Sequence, residues 1–364
     1  MTNAFSIAVL PGDGIGAEVT PAALAVVEEA LKIVGAPALH LAEHPAGAAH
    51  YQHSGSDLPD ATKAACEKAD AIYLGAMGLP AVRYPDGTEI TPQIELRFLF
   101  DLYAGVRPTR AIPGVPTPLS DPRAADIDFV LVRESTEGLF ASYGKGTVED
   151  DSVATDTMVI TRATSEKVIG FTFDAAELRA RRRGKPAKVT LIDKANVFAS
   201  FAFMRKIFDE IAAGRDAQTD RLYVDASTLA FLAKPWAFDT IVTENMFGDI
   251  LSDLAAGLVG GMGYAPSADI GDTHAVFQPA HGSAPDIMGT GKANPTAAIL
   301  SGAMMVDWLG TRHGVESMVE ASTLIHQAVD GAFANGGLLT CELGGNAGVR
   351  AVTDGVLSAL TARS

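Results

Sequence analysis

Residues 240–253 read TIVTENMFGDILSD, and this stretch decides the fold class. Its first three residues form a short apolar run typical of a buried strand, while residues 244–253 have the apolar spacing of a helix. Similar short apolar runs occur at residues 6–10, 71–74, 128–132, 188–192 and 221–224. Because longer segments of helical periodicity alternate with these runs, the chain is predicted to be an α/β protein with these six strands.

Composition restricts the class of protein. The 364 residues include 28 Lys and Arg against 44 Asp and Glu, a formal net charge of −16, and 48% of the residues are hydrophobic. A chain of this size and apolar content can fold as two moderate domains or one large one. The acidic balance argues against nucleic-acid binding, which needs a basic face, but it permits a small anionic substrate held by a local arginine cluster.

The cellular setting follows from the cysteines and the apolar runs. Cys66 and Cys341 are too few for a disulfide framework or a cysteine zinc site, which favours a reducing compartment. No stretch reaches about 18 apolar residues, and residues 2–10 lack the basic start and long apolar middle of a signal peptide. We therefore expect a cytoplasmic protein that does not interact with membranes.

Carboxylates with helical spacing suggest a metal site. Asp249 and Asp253 are four residues apart and so share one side of the predicted helix. Two carboxylates this close repel each other unless a cation lies between them, and spare water positions suit Mg²⁺ or Mn²⁺ better than zinc. Asp225, at the end of another predicted strand, is a candidate third ligand. An isolated aspartate pair of this spacing is also typical of a solvated acidic helix face.

Cationic residues suggest a site for an organic acid. Arg97 and Arg107 flank an apolar segment, and Arg133 follows the predicted strand at residues 128–132. Three converging guanidinium groups would hold a di- or tricarboxylate, although each arginine alone could equally form a surface ion pair. Lys194, after the strand at residues 188–192, is a candidate base if nearby cations favour its neutral form, and a surface lysine otherwise.

Two glycine-rich segments are less informative. Residues 11–16 read PGDGIG after a strand, but the spacing G-x-G-x-G does not match the dinucleotide fingerprint G-x-G-x-x-G. A tight turn explains this segment equally well. Residues 281–286 read HGSAPD, and their spacing by itself assigns no mechanism.

Taken together, the segments resemble the β-decarboxylating dehydrogenases, the family of 3-isopropylmalate, isocitrate, homoisocitrate, tartrate and D-malate dehydrogenases. The matching segments span nearly the whole chain in the family's order and are PGDGIG, YAGVRP, VRESTEG, DKANV, ENMFGDILSD, HGSAPDI, ANPTAAILSGA and ELGGNAG. The resemblance implies the non-Rossmann isopropylmalate/isocitrate dehydrogenase-like fold, with two α/β domains around a central cleft. It implies a cofactor-binding domain from residues 1–104 and 256–364, and a middle domain from residues 105–255 with the substrate and metal residues and the dimer interface.

The resemblance also assigns roles to residues. The substrate-binding residues that it implies are Arg97, Arg107, Arg133 and Asn196. The ligands that it implies for Mg²⁺ or Mn²⁺, with K⁺ as a further cation, are Asp225, Asp249 and Asp253. Lys194, aided by Asp225, would remove the hydroxyl proton as hydride passes to NAD, and the adjacent carboxylate would then leave as CO₂. In this family the lysine and one aspartate come from the neighbouring subunit, which implies a homodimer with shared active sites.

NAD is the cofactor that the resemblance implies. The family's adenosine loop matches residues 281–287, and Asp286 lies where an acidic residue marks the use of NAD. A carboxylate there would accept hydrogen bonds from ribose hydroxyls and repel the 2′-phosphate of NADP. The cofactor-binding residues implied are His281, Gly282, Ser283, Ala284, Asp286, Ile287 and Asn294.

The chain departs from the family pattern at two positions. Where the family has a tyrosine that protonates the enolate, this chain has Phe140, which has no proton to donate. Tyr143 or a water molecule could replace that tyrosine; otherwise the protein is a weak enzyme or a non-catalytic paralogue, such as a regulatory subunit. Gln278 replaces a glutamate, and the sequence alone does not reveal the consequence.

The substrate depends on the residues just before Arg97. Ile90 and Ile94 suit an apolar group such as isopropyl, whereas Thr91 and Gln93 lie where isocitrate enzymes place donors for a third carboxylate. We therefore predict a (2R)-malate-type 2-hydroxy acid, with 3-isopropylmalate or D-malate/tartrate ahead of isocitrate and homoisocitrate.

Overall fold

The computed structural model describes residues 4–362. The ends of the predicted cofactor-binding domain, and part of the N-terminal segment used above, therefore lie outside the described residues. Within residues 4–362 the chain forms a mixed sheet of ten strands and a separate two-stranded hairpin. The strands are β1 (Ala4–Gly12), β2 (Ala38–Glu43), β3 (Ala71–Ala76), β4 (Ala104–Arg110), β5 (Asp128–Glu134), β6 (Thr147–Glu149), β7 (Val153–Thr155), β8 (Lys188–Asp193), β9 (Gln218–Tyr223), β10 (Thr240–Thr243), β11 (Pro266–Ile270) and β12 (Ala275–Pro279).

The helices of this part of the chain pack on both faces of the sheet. None of those formed by residues 4–362 is long and apolar enough to cross a membrane. They are α1 (Gly16–Ile33), α2 (Ala48–Ser54), α3 (Asp60–Lys68), α4 (Pro92–Leu99), α5 (Arg162–Arg183), α6 (Ala199–Ala212), α7 (Val224–Ala233), α8 (Asn245–Leu258), α9 (Thr296–His313), α10 (Glu316–Phe333) and α11 (Val349–Thr361).

The six predicted strands are all present, and the α/β class is confirmed. They correspond to β1, β3, β5, β8, β9 and β10. The predicted end of β9 at Val224 is wrong by one residue, because Val224 begins helix α7. Strand β4 was not predicted, because it reads AGVRPTR and its arginines and proline interrupt the apolar pattern.

Two parallel blocks of strands meet at an antiparallel seam. The strand order is β2-β1-β3-β12-β11-β4-β5-β10-β8-β9. Strands β11 and β4 pair antiparallel with their neighbours, whereas the outer pairs on both sides are parallel. Gly105 of β4 lies opposite Arg133 of β5 and Asp269 of β11. Since residues two apart in a strand face the same side, Arg107 lies on the same face as Arg133 and Asp269.

Apolar side chains on both faces attach the helices to the sheet. On one face, Tyr73 and Phe277 are fully buried in a large cluster that includes residues of α1, α5 and α9. On the other face, Leu131 packs in a cluster with Leu251 of α8, and Leu74 packs in a cluster with residues of α4. Full burial of each such side chain contributes about 1.5–3 kcal/mol. This packing fixes α4 and α8 over the seam, and both helices bear predicted site residues.

Candidate active site

Three buried arginines line one cavity on the face of the sheet that α4 and α8 cover. Arg97 comes from α4, Arg107 from β4 and Arg133 from β5, and their side chains are 8%, 9% and 3% exposed. The cavity has a volume of about 310 Å³ and is also lined by His281 and Gly282 of the predicted cofactor loop. We call it the arginine cavity. Folding therefore brings the three predicted arginines together.

A buried carboxylate lies beside these arginines. Asp269 accepts a hydrogen bond from Arg97 Nε at 3.1 Å, and its other oxygen lies 3.8 Å from a terminal nitrogen of Arg107. Gln278 Nε2 donates to Asp269 at 2.8 Å, so a neutral donor occupies the position where the family has glutamate. A glutamate there would face Asp269 directly. Asp269 was not predicted, although a single acid in the apolar strand PSADI is a signal that could have identified it.

Burial and mutual repulsion shift the charges of this cluster. Burial, together with the neighbouring arginines, lowers the pKa of Arg133 to about 10, and burial also lowers the pKa of Arg107. Burial disfavours the charge of Asp269, but the three arginines outweigh this effect and lower its pKa. Three guanidinium groups therefore face the buried carboxylate of Asp269 and, at the edge of the cavity, the exposed carboxylate of Asp249. The arginines outnumber these carboxylates, which suits a small anionic molecule.

Helix α8 orients Arg133. Glu244 begins the helix by accepting hydrogen bonds from two backbone N–H groups of the first turn at 3.1 and 3.3 Å. Asn245 accepts a hydrogen bond from Arg133 Nε at 2.9 Å, and Asp249, one turn later, pairs with a terminal nitrogen of Arg133. A Cβ atom at Gly248 would lie 2.6 Å from the Arg133 side chain. The close approach of helix and arginine therefore requires glycine.

The two aspartates of α8 lie at its exposed edge. The Asp249 side chain is 57% exposed, and Asp253 is exposed one turn further on. Partial burial, followed by repulsion from Asp249, raises the pKa of Asp253. Such repulsion fits a pair that binds a cation. Asp225 does not complete this set, since residues 4–362 contain no group of three His, Cys, Asp or Glu side chains arranged to hold a metal ion.

Lys194 and Asp225 lie together but outside the arginine cavity. Lys194 Nζ donates to Asp225 Oδ1 at 2.5 Å, and this hydrogen bond lowers the pKa of Asp225. Neither residue lines the arginine cavity. Asn196 is exposed and borders a separate surface recess. Within one chain, these predicted residues and the arginines form two separate groups.

Helix α4 and the residues before it form the wall that would contact the substrate side chain. Thr91, Gln93 and Ile94 line the arginine cavity. Ile90 does not line this cavity and is only 1% exposed, so the structure does not bring it together with the other three residues. The buried Oε1 atom of Gln93 has no hydrogen-bond partner among residues 4–362. The wall therefore combines the apolar side chain of Ile94 with the Oε1 atom of Gln93, which lacks a hydrogen-bond partner among residues 4–362.

Phe140 and Tyr143 belong to one short turn near the arginine cavity. Phe140 lines the cavity, and the guanidinium carbon of Arg133 lies 5.2 Å from its ring centroid, a cation–π contact. Tyr143 is 45% exposed, and its hydroxyl lies 3.0 Å from Thr91 Oγ1. The phenol hydroxyl therefore lies at the rim, next to a residue of the cavity wall.

The predicted cofactor loop joins β12 to α9 and packs against the first glycine-rich segment. The Ser283 hydroxyl donates to the Gly78 carbonyl at 2.5 Å, and the Ser283 carbonyl accepts from the Ile15 backbone N–H at 2.8 Å. Gly14 has a left-handed φ of +57°, and a Cβ atom there would lie 2.0 Å from the Ser283 carbonyl oxygen. The segment PGDGIG is thus a tight turn that supports the cofactor loop.

The other predicted loop residues differ in their surroundings. Asp286 is exposed and forms no ion pair with any residue from 4 to 362. The Nε2 atom of His281 is buried without a hydrogen-bond partner in that range, and burial lowers the pKa of this ring. Asn294 is already satisfied, because it donates to Glu342 at 2.8 Å and accepts from the Thr296 N–H at 3.0 Å. The half-buried members of the loop are His281, Ala284 and Ile287.

Comparison with known proteins identifies the family. The family model for isocitrate/isopropylmalate dehydrogenase matches residues 6–358. The chain belongs to this family. A family relative, the 3-isopropylmalate dehydrogenase of Clavibacter michiganensis subsp. michiganensis, is 43% identical over 85% of this chain and 88% of its own. Another, the 3-isopropylmalate/3-methylmalate dehydrogenase of Methanocaldococcus jannaschii, is 40% identical over 93% of this chain and 94% of its own.

Solved structures support the same family fold. The isocitrate dehydrogenase of Methylococcus capsulatus has a TM-score of 0.83 and 35% identity, covering 98% of this chain and 99% of its own. The β-decarboxylating dehydrogenase of Thermococcus kodakarensis in its apo form has a TM-score of 0.79 and 36% identity, covering 98% and 96%. The predicted family and fold are therefore confirmed. The relatives are named dehydrogenases, which supports an oxidoreductase.

Proposed function

We propose that this protein catalyses the NAD-dependent oxidative decarboxylation of a (2R)-malate-type 2-hydroxy acid with Mg²⁺ or Mn²⁺. The observation that carries the proposal is the convergence of Arg97, Arg107 and Arg133 on one cavity beside α8. Relatives named 3-isopropylmalate dehydrogenase favour 3-isopropylmalate as the substrate, with D-malate and tartrate next. The free thiols of Cys66 and Cys341 fit an enzyme of the reducing cytoplasm.

The residues of this chain would divide substrate binding and proton transfer between them. The arginines would bind the substrate carboxylates bidentately and so orient the carbon that bears the hydroxyl group. Lys194, oriented by Asp225, would in its neutral form take the hydroxyl proton while that carbon is oxidised. The chemistry that NAD and the divalent cation supply when bound is hydride acceptance and polarisation of the new carbonyl. The carboxylate β to that carbonyl would then leave as CO₂.

A homodimer would unite the two separate groups of site residues. Asp249 and Asp253 offer two oxygen ligands beside the arginines, and a second copy could bring its own Lys194 and Asp225 to that edge. The surface near these groups is apolar, as expected of an interface. Its exposed apolar side chains on α7 and α8 are Leu229, Leu232 and Ile250, which are 69%, 53% and 61% exposed. We propose that the metal binds Asp249, Asp253 and the partner subunit's Asp225.

Complementation between two inactive variants tests this arrangement. Lys194→Ala removes the base and Asp253→Asn removes a metal ligand, so each variant alone should lack turnover. Random pairing of co-expressed chains makes about half of the dimers mixed, each with one intact site, so about a quarter of wild-type activity should return. A mixture that stays inactive would contradict shared sites. If Lys194→Ala alone kept turnover within a few-fold of wild type, the assignment of Lys194 as the base would be wrong.

Asp286 supports NAD over NADP. Its exposed carboxylate has no cationic partner among residues 4–362, and the buried Nε2 of His281 in the same loop is free to bond a ligand. Asp286→Ser should lower the preference for NAD over NADP by about tenfold, because repulsion of the 2′-phosphate is lost. Initial rates with both cofactors measure this ratio. A ratio equal to that of wild type would contradict the assignment.

Tyr143 is proposed as the proton donor that completes the reaction. Decarboxylation leaves an enolate, and Phe140 in the cavity wall cannot protonate it. The Tyr143 hydroxyl, bonded to Thr91 at the rim, can. Tyr143→Phe should lower kcat by about 10²-fold with little change in substrate affinity, and the double variant Phe140→Tyr with Tyr143→Phe should recover activity. Unchanged turnover in Tyr143→Phe would exclude Tyr143 as the donor.

A substrate panel decides between the remaining alternatives. NADH formation would be followed with Mn²⁺ and K⁺ for 3-isopropylmalate, D-malate, tartrate, isocitrate and homoisocitrate. Ile94 favours an apolar substituent, so 3-isopropylmalate should give the highest kcat/KM. A maximum with isocitrate or homoisocitrate would mean that Gln93, through its Nε2 donor, binds a third carboxylate. Calorimetric binding of a dicarboxylate without NADH formation would favour a non-catalytic paralogue.

A further inference from the structure

A second and larger cavity lies on the opposite face of the sheet from the arginine cavity. Its volume is about 790 Å³, and it lies between α5 on one side and α9 and α10 on the other, with β4, β11 and β12 beneath. Cavities of about 300–1,000 Å³ are the size that holds organic ligands. We call it the reverse cavity, and the proposed reaction makes no use of it.

The same strands form the floors of both cavities. On β4, Arg107 lines the arginine cavity, whereas Val106 and Pro108 line the reverse cavity. On β12, Gln278 lines the arginine cavity and Phe277 lines the reverse cavity. Because successive residues of a strand face opposite sides, only the thickness of the sheet separates the two spaces. The alternation of side chains along β4 and β12 therefore supplies lining residues to both cavities.

The walls of the reverse cavity are apolar and incompletely covered. Four large apolar side chains from helices α5 and α9 line it and are only partly buried, which leaves apolar surface open to a ligand. They are Phe171, Leu178, Met304 and Trp308. Because the space is bounded by three helices and the sheet, it fits a compact molecule with an apolar body.

The rim of the reverse cavity has one unmatched positive charge. Arg110 forms two hydrogen bonds with Asp330, at 2.7 and 3.0 Å. Arg182 of α5 forms two with Asp307 of α9, at 2.9 and 3.0 Å. Each of these ion pairs is neutral. The pair of Arg182 and Asp307 also joins α5 to α9 across the cavity. Arg181 also lines the cavity but forms no ion pair with any residue between 4 and 362.

His326 adds a hydrogen-bonding group to the same space. Its ring lines the reverse cavity and forms no hydrogen bond within the described part of the chain. Burial lowers the pKa of His326 to about 4, so the ring is neutral near pH 7 and offers one donor and one acceptor. The residue is only half-buried, so a polar group of a ligand in the cavity can reach the ring nitrogens.

We propose that the reverse cavity binds an amphipathic organic anion, with an aromatic or branched apolar body against Phe171, Met304 and Trp308 and one carboxylate or sulfonate group near Arg181. The apolar walls match the apolar body of the ligand. Arg181, which has no ion-pair partner among residues 4–362, matches its anionic group. The occupant would contact α5, α9 and α10 at once and would stabilise their present spacing. This site does not depend on the proposed reaction.

Titration with 8-anilinonaphthalene-1-sulfonate tests the proposal, because this probe has an aromatic body and one sulfonate group. We expect one molecule bound per chain by calorimetry. Ala175→Trp fills the cavity from α5 and should weaken binding at least about tenfold, whereas Ala163→Trp, exposed on the same helix away from the cavity, should leave it unchanged. Thr323→Trp fills the cavity from α10 and provides a second variant should Ala175→Trp fail to fold.

The anionic part has its own control. Arg181→Gln should weaken the sulfonate probe about two- to fivefold but leave its neutral counterpart, N-phenyl-1-naphthylamine, unaffected. Equal affinity in wild type and the folded filling variants would overturn the proposal, because the probe would then bind elsewhere on the surface. Absence of binding to wild type, or an equal loss in Ala163→Trp, would also overturn it. Equal effects of Arg181→Gln on both probes would overturn the proposed anion preference.

Discussion

Glu134 is a buried carboxyl group that should make the stability of this protein fall as pH rises. It follows Arg133 on β5 and is 5% exposed, and its Oε1 accepts hydrogen bonds from the Thr136 backbone and hydroxyl and from the Glu137 N–H. Burial raises the pKa of Glu134 to about 7, although these bonds oppose the shift. A glutamate in the unfolded chain loses its proton near pH 4.5. Between these values the native state therefore binds more protons, and raising the pH destabilises it.

The size of the effect follows from the two pKa values of Glu134. A pKa of about 7 in the folded state against 4.5 in the unfolded state corresponds to about 3 kcal/mol of unfolding free energy, of which about 2.5 kcal/mol is lost between pH 5 and pH 8. Glu134→Gln keeps an acceptor oxygen for the turn and removes the titration. Its unfolding free energy should therefore lack this pH-dependent component.

Urea unfolding at pH 5 and pH 8 measures the difference. From pH 5 to pH 8, Glu134→Gln should gain about 2.5 kcal/mol of unfolding free energy relative to wild type. Glu67→Gln makes the same charge change at an exposed position of α3 and should follow wild type at both pH values. Equal losses in wild type and Glu134→Gln would refute the reasoning, because Glu134 would then ionise in the folded protein at its ordinary pKa.

Two further substitutions test the packing of the arginine cluster. Asp269→Asn leaves buried arginines without their carboxylate and should lower the unfolding free energy by about 3–5 kcal/mol, against less than about 1 kcal/mol for Asp272→Asn, whose side chain is 65% exposed. Losses of equal size in urea unfolding would show that burial is not the cause. Gly248→Ala should displace Arg133 and weaken substrate binding, because the new Cβ would lie 2.6 Å from that side chain, whereas a Cβ at Gly257 on the same helix meets no atom within 4 Å. Gly257→Ala should therefore be neutral or stabilise by up to about 1 kcal/mol, and calorimetry with equal affinities in both variants would contradict the packing argument.

Prediction from the sequence succeeded where the local pattern is simple. The strand that ends before Glu244 was predictable because its apolar run is short and uninterrupted. Strand β4 was not, since Arg107, Pro108 and Arg110 interrupt any apolar pattern. These residues form a strand because β4 pairs through its backbone with β5 and β11, and their side chains then face two different cavities. Asp269 was missed for a related reason, because its partners Arg97 and Arg107 lie far away in the sequence.

Local sequence was sufficient for the alternation of strands and helices, for the spacing of Asp249 and Asp253, and for the choice of arginines as candidates. These features depend on periodicity and side-chain chemistry within a few residues. Only the tertiary structure decided that Arg97 and Arg107 flank Asp269, and that Lys194 and Asp225 lie apart from the arginines within one chain. The order and register of the strands bring such residues together or keep them apart, and these depend on burying the faces of the whole sheet rather than on any local pattern.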